Sequence, residues 1–152
     1  MQREEMLAVN ALRFLSVDMI NQANSGHPGI AIDAVPMAYT LWERVMNFNP
    51  RDPEWLNRDR FILSKGHCVE ALYVTLEAKG FLKKEITDTL GKYGSILSGH
   101  PTIEVSGIEV NTGALGHGLP IGVGMAIAAK MDKKSYKTYV MMGDGEQGEG
   151  SI

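Results

Sequence analysis

The sequence has little cysteine, no excess of basic residues and no long apolar run. Cys68 is the single cysteine among 152 residues, so an internal disulfide is impossible and a reducing compartment is expected. A formal charge of -3 and a pI of about 5.8 argue against nucleic-acid binding, for which a basic stripe is typical. The least polar stretch, 119–131, is shorter than the roughly 20 residues that cross a membrane. We therefore expect a cytoplasmic protein that binds neither nucleic acid nor membrane.

Familiar metal and nucleotide motifs are missing as well. No HxxxH, HExxH or CxxC spacing is present, which argues against a zinc site. The Walker pattern GxxxxGK[ST] is also absent. The segment 113–124 contains GxG, but its third glycine comes one residue late for the dinucleotide fingerprint GxGxxG, and no good strand precedes it. A nicotinamide-dependent oxidoreductase is thus the weakest of the functions that we consider.

Glycine and histidine occur together in this sequence. The chain has 17 glycines and four histidines, and a glycine precedes every histidine. The tetrapeptide Ser-Gly-His-Pro occurs twice, at 25–28 and 98–101. Glycine removes a neighbouring side chain and frees the backbone, so each imidazole can project into a cleft. Single histidines of this kind are often plain turn residues, but the set of four favours a ligand pocket assembled from several loops.

Apolar periodicity predicts an α/β fold. Helical spacing indicates helices over 3–21 and 68–79, the second ending at Gly80, and a helix capped by Asp33 that runs to about Met46. Short apolar runs predict strands over 60–63 and 137–142, the latter covered on both faces as in a parallel sheet. The remaining helices are expected over 84–92 and 119–130, with close packing through Gly122, Gly124 and Ala126. Helices that alternate with short buried strands are typical of α/β domains.

The triplet Gly143-Asp144-Gly145 directly follows the second predicted strand. Ligands of open α/β sheets bind beyond the carboxyl ends of strands. Asp144 offers an oxygen to a hard cation such as Mg²⁺, and Gly145 allows a backbone N–H to approach a phosphate. A simple surface turn is the plainer alternative. One aspartate alone also cannot complete a magnesium site, because Mg²⁺ requires about six oxygen ligands.

Five motifs in a fixed order identify the family that this chain resembles. They are SGHPG, DRFILSKGH, SGHP, NTGALGHGL and GDGEQGEGS. Together they resemble the N-terminal thiamine-diphosphate-binding domain of transketolase, over nearly the whole chain. The resemblance implies a parallel-sheet, three-layer, Rossmann-like domain, incomplete at its C-terminus, with residues 1–152 as a partial domain. The pyrimidine-binding and C-terminal domains of the family are expected to be absent.

The resemblance implies a role for each histidine. His27 matches the family's histidine near the reactive thiazolium carbon, which contacts substrate and transfers protons. His100 matches a catalytic histidine of the substrate channel, and His67 matches one that binds the cofactor diphosphate. His117 stands where many relatives carry glutamine, so we expect a structural role for it.

The same resemblance implies the remaining cofactor contacts. The backbone of Gly113-Ala114-Leu115 is expected to contact the aminopyrimidine, with Ala114 in place of a frequent proline. Asp144 matches a ligand of Mg²⁺ (or Ca²⁺), and Gly145 matches the backbone contact to the diphosphate. Glu149 matches a glutamate of the carboxylate network that links two protomers at the cofactor.

The family transfers a two-carbon ketol unit between sugar phosphates. We expect this chain to serve that reaction but to be inactive alone, because the family's later metal ligand and its cofactor-activating glutamate have no counterpart here. The expected partner is a second copy, forming a homodimer, or a complementary C-terminal transketolase polypeptide. Another thiamine-diphosphate enzyme, such as one resembling deoxyxylulose-phosphate synthase, and a non-catalytic assembly module are the alternatives.

Overall fold

A computed structural model describes residues 2–152 of the chain. The chain divides into two compact units, each built from two separate segments. Unit 1 contains residues up to Met46 together with His67–Gly99, and unit 2 contains Asn47–Gly66 together with His100–Ile152.

Unit 1 is a set of packed helices. Its helices are α1 (Arg3–Ala23), α2 (Pro28–Thr40), α3 (Val69–Ala78) and the single turn α4 (Lys84–Thr87). Helices α1, α2 and α3 contact one another. Every residue from Val69 to Leu76 is buried, as expected for a helix that is covered on all sides. The core of unit 1 therefore lies around α3.

Two details of unit 1 differ from the sequence-based predictions. Asp33 does not cap α2 but lies exposed inside it, because the helix already begins at Pro28, whose fixed φ suits the first helical position. A π-helical turn, Leu41–Val45, continues α2 to the predicted end. The helix expected over 84–92 is only one turn long. The Thr87 and Thr89 hydroxyls donate to nearby backbone carbonyls and so compete with helix propagation.

Unit 2 contains a parallel pair of strands covered by one helix. Strand β1 (Arg60–Leu63) pairs with β2 (Thr138–Met141), in a register that places Arg60 opposite Thr138 and Leu63 opposite Met141. Helix α5 (Gly118–Met131) contacts both strands. These elements confirm the predicted α/β organisation and both predicted strands.

The packing of α5 on the sheet follows from one small residue. A side chain on Gly122 would lie 2.6 Å from Val140 Cγ2, whereas a side chain on Gly124 would meet no atom within 4 Å. Close packing through Gly122 is therefore confirmed, and the prediction for Gly124 and the exposed Ala126 was wrong. The expected burial of β2 on both faces is also not observed, since only Met141 is buried and the other three residues are half-buried.

Candidate functional site

The two strands of unit 2 end at the same edge of the sheet because they are parallel. Ser64, Lys65 and Gly66 follow β1, and the Gly143-Asp144-Gly145 turn follows β2. The turn leads into a short 3-10 helix, Gly145–Gly148. The loop 112–117, which precedes α5, belongs to the same unit. Three of the glycine-containing motifs thus come from elements that meet at the carboxyl edge of the sheet.

One buried carboxylate joins these three segments. Glu146 is only 3% exposed. Its Oε1 accepts hydrogen bonds from the Ser64 hydroxyl and from the Gly116 N–H, the latter at 2.8 Å. Its Oε2 accepts the Gly143 N–H at 3.0 Å. Glu146 therefore fixes the ends of both strands and the glycine loop relative to one another.

The hydrogen-bond network continues from Ser64 into helix α5. The Ser64 hydroxyl oxygen accepts the Gly118 N–H at 3.1 Å, in addition to donating to Glu146. A side chain on Gly118 would lie 2.4 Å from Ser64 Oγ and 2.8 Å from Ser64 Cα. Nearby, the Thr112 hydroxyl donates to the Leu63 carbonyl at 2.7 Å. The start of α5 is thus held directly against the end of β1.

His100 lies against the backbone of the loop that contains Gly113. Gly113 has φ +144°, and a side chain there would lie 2.9 Å from Cδ2 of the His100 ring. Only glycine combines this conformation with so close a contact. The structure therefore brings two of the predicted site residues together in unit 2.

The remaining predicted residues of unit 2 lie near the surface. Ala114 and Leu115 are exposed. The exposed Glu149 packs on Gly116, where an added Cβ would lie 2.6 Å from Glu149 Cβ. His117 precedes α5 as its N-cap residue.

Asp144 is exposed and makes no side-chain capping bond to the short helix that follows it. Gly145 has no atom within 4 Å of the position that a Cβ would occupy. Within residues 2–152, no three His, Cys, Asp or Glu side chains are grouped so that they could hold a metal ion by themselves. An exposed acidic oxygen and an open backbone segment therefore lie beyond the end of β2.

Unit 1 contains the other two predicted site residues, and they touch. The rings of His27 and His67 pack edge to face, with centroids 5.2 Å apart and an interplanar angle of 72°. His27 directly precedes α2, and His67 lies in the 3-10 turn that leads into α3. His27 is exposed and His67 is half-buried. A pair of imidazoles at the starts of two helices can donate hydrogen bonds to an anion and exchange protons with a ligand.

Comparison with known proteins identifies the family. Residues 4–152 match the family described as "Transketolase, thiamine diphosphate binding domain". The chain belongs to this family.

Named relatives agree with this assignment. The chain is 65% identical over 136 residues to one of the subunits of the apulose-4-phosphate transketolase of Phocaeicola vulgatus, an alignment that covers 90% of this chain and 48% of that protein. It is 45% identical over 158 aligned residues to the transketolase of Staphylococcus aureus, with 97% of this chain and 24% of that protein covered. This transketolase-family chain thus spans about half, or about a quarter, of the length of these relatives.

Solved transketolase structures share the fold. The transketolase of Campylobacter jejuni superimposes with a TM-score of 0.88 at 39% identity, covering 93% of this chain and 24% of that chain. The transketolase of Leishmania mexicana gives a TM-score of 0.86 at 36% identity, covering 93% and 23%. The expected thiamine-diphosphate-binding fold of transketolase is thereby confirmed. Within residues 2–152, none of the helices is both long enough and apolar enough to cross a bilayer.

Sequence reasoning missed two buried glutamates of this transketolase domain. Glu146 had a usable signal, since it reaches back three residues to the Gly143 N–H, much as a capping-box glutamate does. Glu70 had none, because nothing in the sequence shows that the first turn of α3 is buried. Ser64 was visible only as the first residue of the SKGH motif. The role of each of these side chains follows from its contacts in the folded structure.

Proposed function

We propose that this chain is the thiamine-diphosphate-binding part of an enzyme that transfers a two-carbon ketol unit between sugar phosphates. One observation carries the proposal. The buried carboxylate of Glu146 holds three glycine-containing segments at the carboxyl edge of a parallel sheet. Phosphate groups bind at such edges because backbone N–H groups can approach them there.

The residues at the end of β2 fit a diphosphate bound together with a divalent cation. Asp144 supplies one exposed carboxylate, and the open backbone at Gly145 admits a phosphate. Mg²⁺ is commonly bound by one or two carboxylates together with phosphate oxygens and water. We therefore assign Asp144 as a ligand of Mg²⁺ (or Ca²⁺) and Gly145 as a diphosphate contact.

The imidazole side chains are the groups of the protein that would transfer protons and bind the substrate and the diphosphate. Thiamine diphosphate, when bound, supplies a carbon nucleophile and an electron sink. We propose that His27 transfers protons at the substrate and that His67 donates a hydrogen bond to the diphosphate. His100, whose ring lies close to Gly113, is assigned to substrate contact. Imidazoles suit these tasks because they gain and lose protons near neutral pH.

The other predicted cofactor contacts are also part of the proposal. The backbone of Gly113-Ala114-Leu115 is assigned to the aminopyrimidine. Glu149 is assigned to the carboxylates shared between protomers at the cofactor, which is consistent with its exposure. His117 retains a structural assignment, because its backbone carbonyl accepts the Ile121 N–H at the start of α5.

Activity requires a partner or the further length that the named relatives have. We propose a homodimer or a complex with a complementary C-terminal transketolase polypeptide, because the Phocaeicola vulgatus relative is named as one subunit of its enzyme. Apulose 4-phosphate is the first ketose phosphate to test, on the strength of that relative's name. A pyruvate-using thiamine enzyme and a non-catalytic assembly module are the competing functions.

Calorimetric titration of the chain with thiamine diphosphate, with and without Mg²⁺, tests the proposal. We expect binding that requires Mg²⁺ and is weakened at least about tenfold in Asp144→Asn, because the substitution removes a charged metal ligand. Asp132→Asn is the matched control, since Asp132 is exposed at the end of α5. Equal affinity in the wild type and Asp144→Asn would overturn the metal assignment. Absence of any binding would show that the cofactor site forms only together with a partner or with the further length that the named relatives have.

An activity assay separates the competing functions. The chain, mixed with a C-terminal transketolase polypeptide, is supplied with cofactor, an aldose phosphate and either a ketose phosphate or pyruvate. Two-carbon transfer from the ketose phosphate supports the proposal. Turnover with pyruvate but not with the ketose phosphate favours the deoxyxylulose-phosphate synthase type of enzyme. If the chain binds the cofactor but neither donor is consumed, the assembly module is favoured.

A further inference from the structure

Helix α1 is apolar at the centre of the face that it turns to solvent. Its inner face contributes Val9, Leu12 and Met19 to the core of unit 1. On the opposite face Leu7 is 61% exposed and Phe14 is 72% exposed. Polar and charged residues normally occupy the outer face of a surface helix. Large apolar side chains at its centre therefore mark a surface that contacts another molecule.

The exposed apolar residues form one stripe along the helix. Leu7, Ala11 and Phe14 are four and three residues apart, a spacing that places side chains on one face. All three are exposed, and we call them the outer stripe. The same spacing occurs where two helices pack along each other at a small crossing angle. The outer stripe therefore suits a second helix that lies along α1.

A groove runs beside the outer stripe within unit 1. Its volume is about 350 Å³, and its mainly apolar lining includes Ala8 and Ala11 of α1, Tyr39 of α2 and Ala78 of α3. The small alanine side chains leave this groove open next to the stripe. Interfaces commonly place an aromatic side chain in a pocket of this kind. The same face of α1 thus presents a protruding aromatic group, Phe14, and a groove that can receive one.

Charges of opposite sign lie at the two ends of the outer stripe. Arg3 precedes Leu7 by one turn, and Asp18 follows Phe14 by one turn. Both charged residues are exposed, and within residues 2–152 neither takes part in an ion pair. In a parallel pair of helices each aspartate would lie opposite its own copy, and like charges repel. In an antiparallel pair Asp18 lies near Arg3 of the second copy, so the charges favour the antiparallel arrangement.

We propose that the outer stripe is an interaction surface for a second copy of this chain, with the two α1 helices antiparallel about a two-fold axis near Ala11. Phe14 of each copy packs into the groove beside Ala8 of the other. A two-fold interface requires one patch to carry both complementary groups, and this face of α1 carries both. The contact involves unit 1 alone and does not rest on the function proposed above.

A contact between one helix and its copy is small. Standard interfaces bury about 1,200–2,000 Å² of surface in total, and smaller contacts are typical of weak or transient complexes. We therefore expect a dimer whose population rises with protein concentration. Sedimentation equilibrium over a wide range of concentrations is the suitable measurement, and it needs no cofactor.

Removal of the aromatic group tests the surface. We expect Phe14→Ser to raise the dissociation constant of the dimer at least about tenfold, because a buried aromatic anchor is lost from both halves of the interface. Met131→Ser is the matched control, since Met131 is 77% exposed on α5, and it should leave the dissociation constant unchanged. Circular dichroism checks that both variants are folded.

Exchange of charge tests the orientation. Asp18→Arg places like charges at both ends of the antiparallel pair and should weaken the dimer roughly twofold to tenfold at low salt. Adding Arg3→Asp to this variant should restore most of the affinity. Both effects should shrink at high salt, because screening weakens interactions between exposed charges.

Disulfide cross-linking tests the position of the axis. Cys68 is buried and is the single cysteine of the chain, so an added cysteine reports on its own position. Ala11→Cys should form a cross-linked dimer on mild oxidation, because residues near the axis meet their copies within the about 4.4–6.8 Å between Cα atoms that a disulfide spans. Asp18→Cys should not, because a rise of about 1.5 Å per residue places it about 20 Å from its copy. A parallel pair would cross-link at both positions.

Three results would overturn the inference. A chain that stays monomeric at every concentration would show that the outer stripe does not bind a second copy. Equal dimerisation of the wild type and folded Phe14→Ser would place the contact elsewhere, and loss of dimerisation in Met131→Ser would place it on α5. Cross-linking of Asp18→Cys as readily as Ala11→Cys would exclude the antiparallel pair. All three are measured without thiamine diphosphate, so they are distinguishable from failure of the proposed function.

Discussion

Replacement of Glu146 by glutamine is the sharpest test of how the glycine-containing loops are held. The carboxylate uses Oε1 for Ser64 and Gly116 and Oε2 for Gly143. Glutamine has the same shape but only one oxygen. The orientation that keeps both hydrogen bonds of Oε1 places the side-chain NH₂ group against the Gly143 N–H, so that two donors face each other. Leaving a buried donor unpaired costs about 1–3 kcal/mol.

Amide hydrogen exchange measures this cost residue by residue. A local cost of about 1–3 kcal/mol corresponds to roughly 5- to 150-fold faster exchange at the Gly143 amide. The Gly116 amide should be affected much less, because its acceptor is retained. Gln147→Ala, at the exposed neighbouring position, is the control and should leave both amides unchanged.

Two results would refute this reasoning. If neither amide exchanges faster in Glu146→Gln, the carboxylate does not hold the turn. If amides throughout unit 2 accelerate by the same factor, the substitution lowers the global free energy of unfolding and does not open the turn locally.

Two further substitutions test packing and pH dependence. Gly118→Ala should destabilise the protein by about 1–3 kcal/mol in urea unfolding, because its Cβ would meet the backbone Cα of Ser64 at 2.8 Å. Gly124→Ala, in open space on the same helix, should be neutral or stabilising by up to about 1 kcal/mol, and equal losses in the two variants would contradict this explanation. Burial raises the pKa of Tyr73 to about 12 from an ordinary 10.0. The unfolded chain therefore loses this proton first, and stability should fall between about pH 10 and 12 more steeply in the wild type than in Tyr73→Phe, as measured by thermal melts. A Tyr73→Phe variant with the wild-type slope would show that burial does not keep Tyr73 protonated in the folded state over this pH range.

The local sequence predicted helices and strands well where interactions between residues close in sequence determine their bounds. The strand over 60–63 was predicted with the observed bounds, because a short apolar run beside charged loop residues has few alternatives. The predicted second helix began too late, since the Asp33 cap signal was given more weight than Pro28 at the true first position. The helix after residue 84 was predicted too long, because the threonine hydroxyls that bond back to the main chain were not considered.

The candidate site was only partly predictable, because its organisation is tertiary. Histidine and glycine motifs in sequence pointed to the residues of the site, and the pairing of His27 with His67 is visible only in the structure. Glu146 joins residues that are 82 and 30 positions away along the chain. No local pattern specifies contacts over such distances.

The division of the chain into units has a consequence for how it can be made. The polypeptide enters unit 1, leaves it after Met46, returns at His67 and leaves again after Gly99. Neither unit can therefore be obtained by expressing one continuous stretch of the sequence. During synthesis, α1 and α2 emerge well before α3, around which they pack, so the early nascent chain has exposed apolar surface that is prone to aggregation. A fusion that joins the two segments of one unit through a short linker would be needed to study either unit alone.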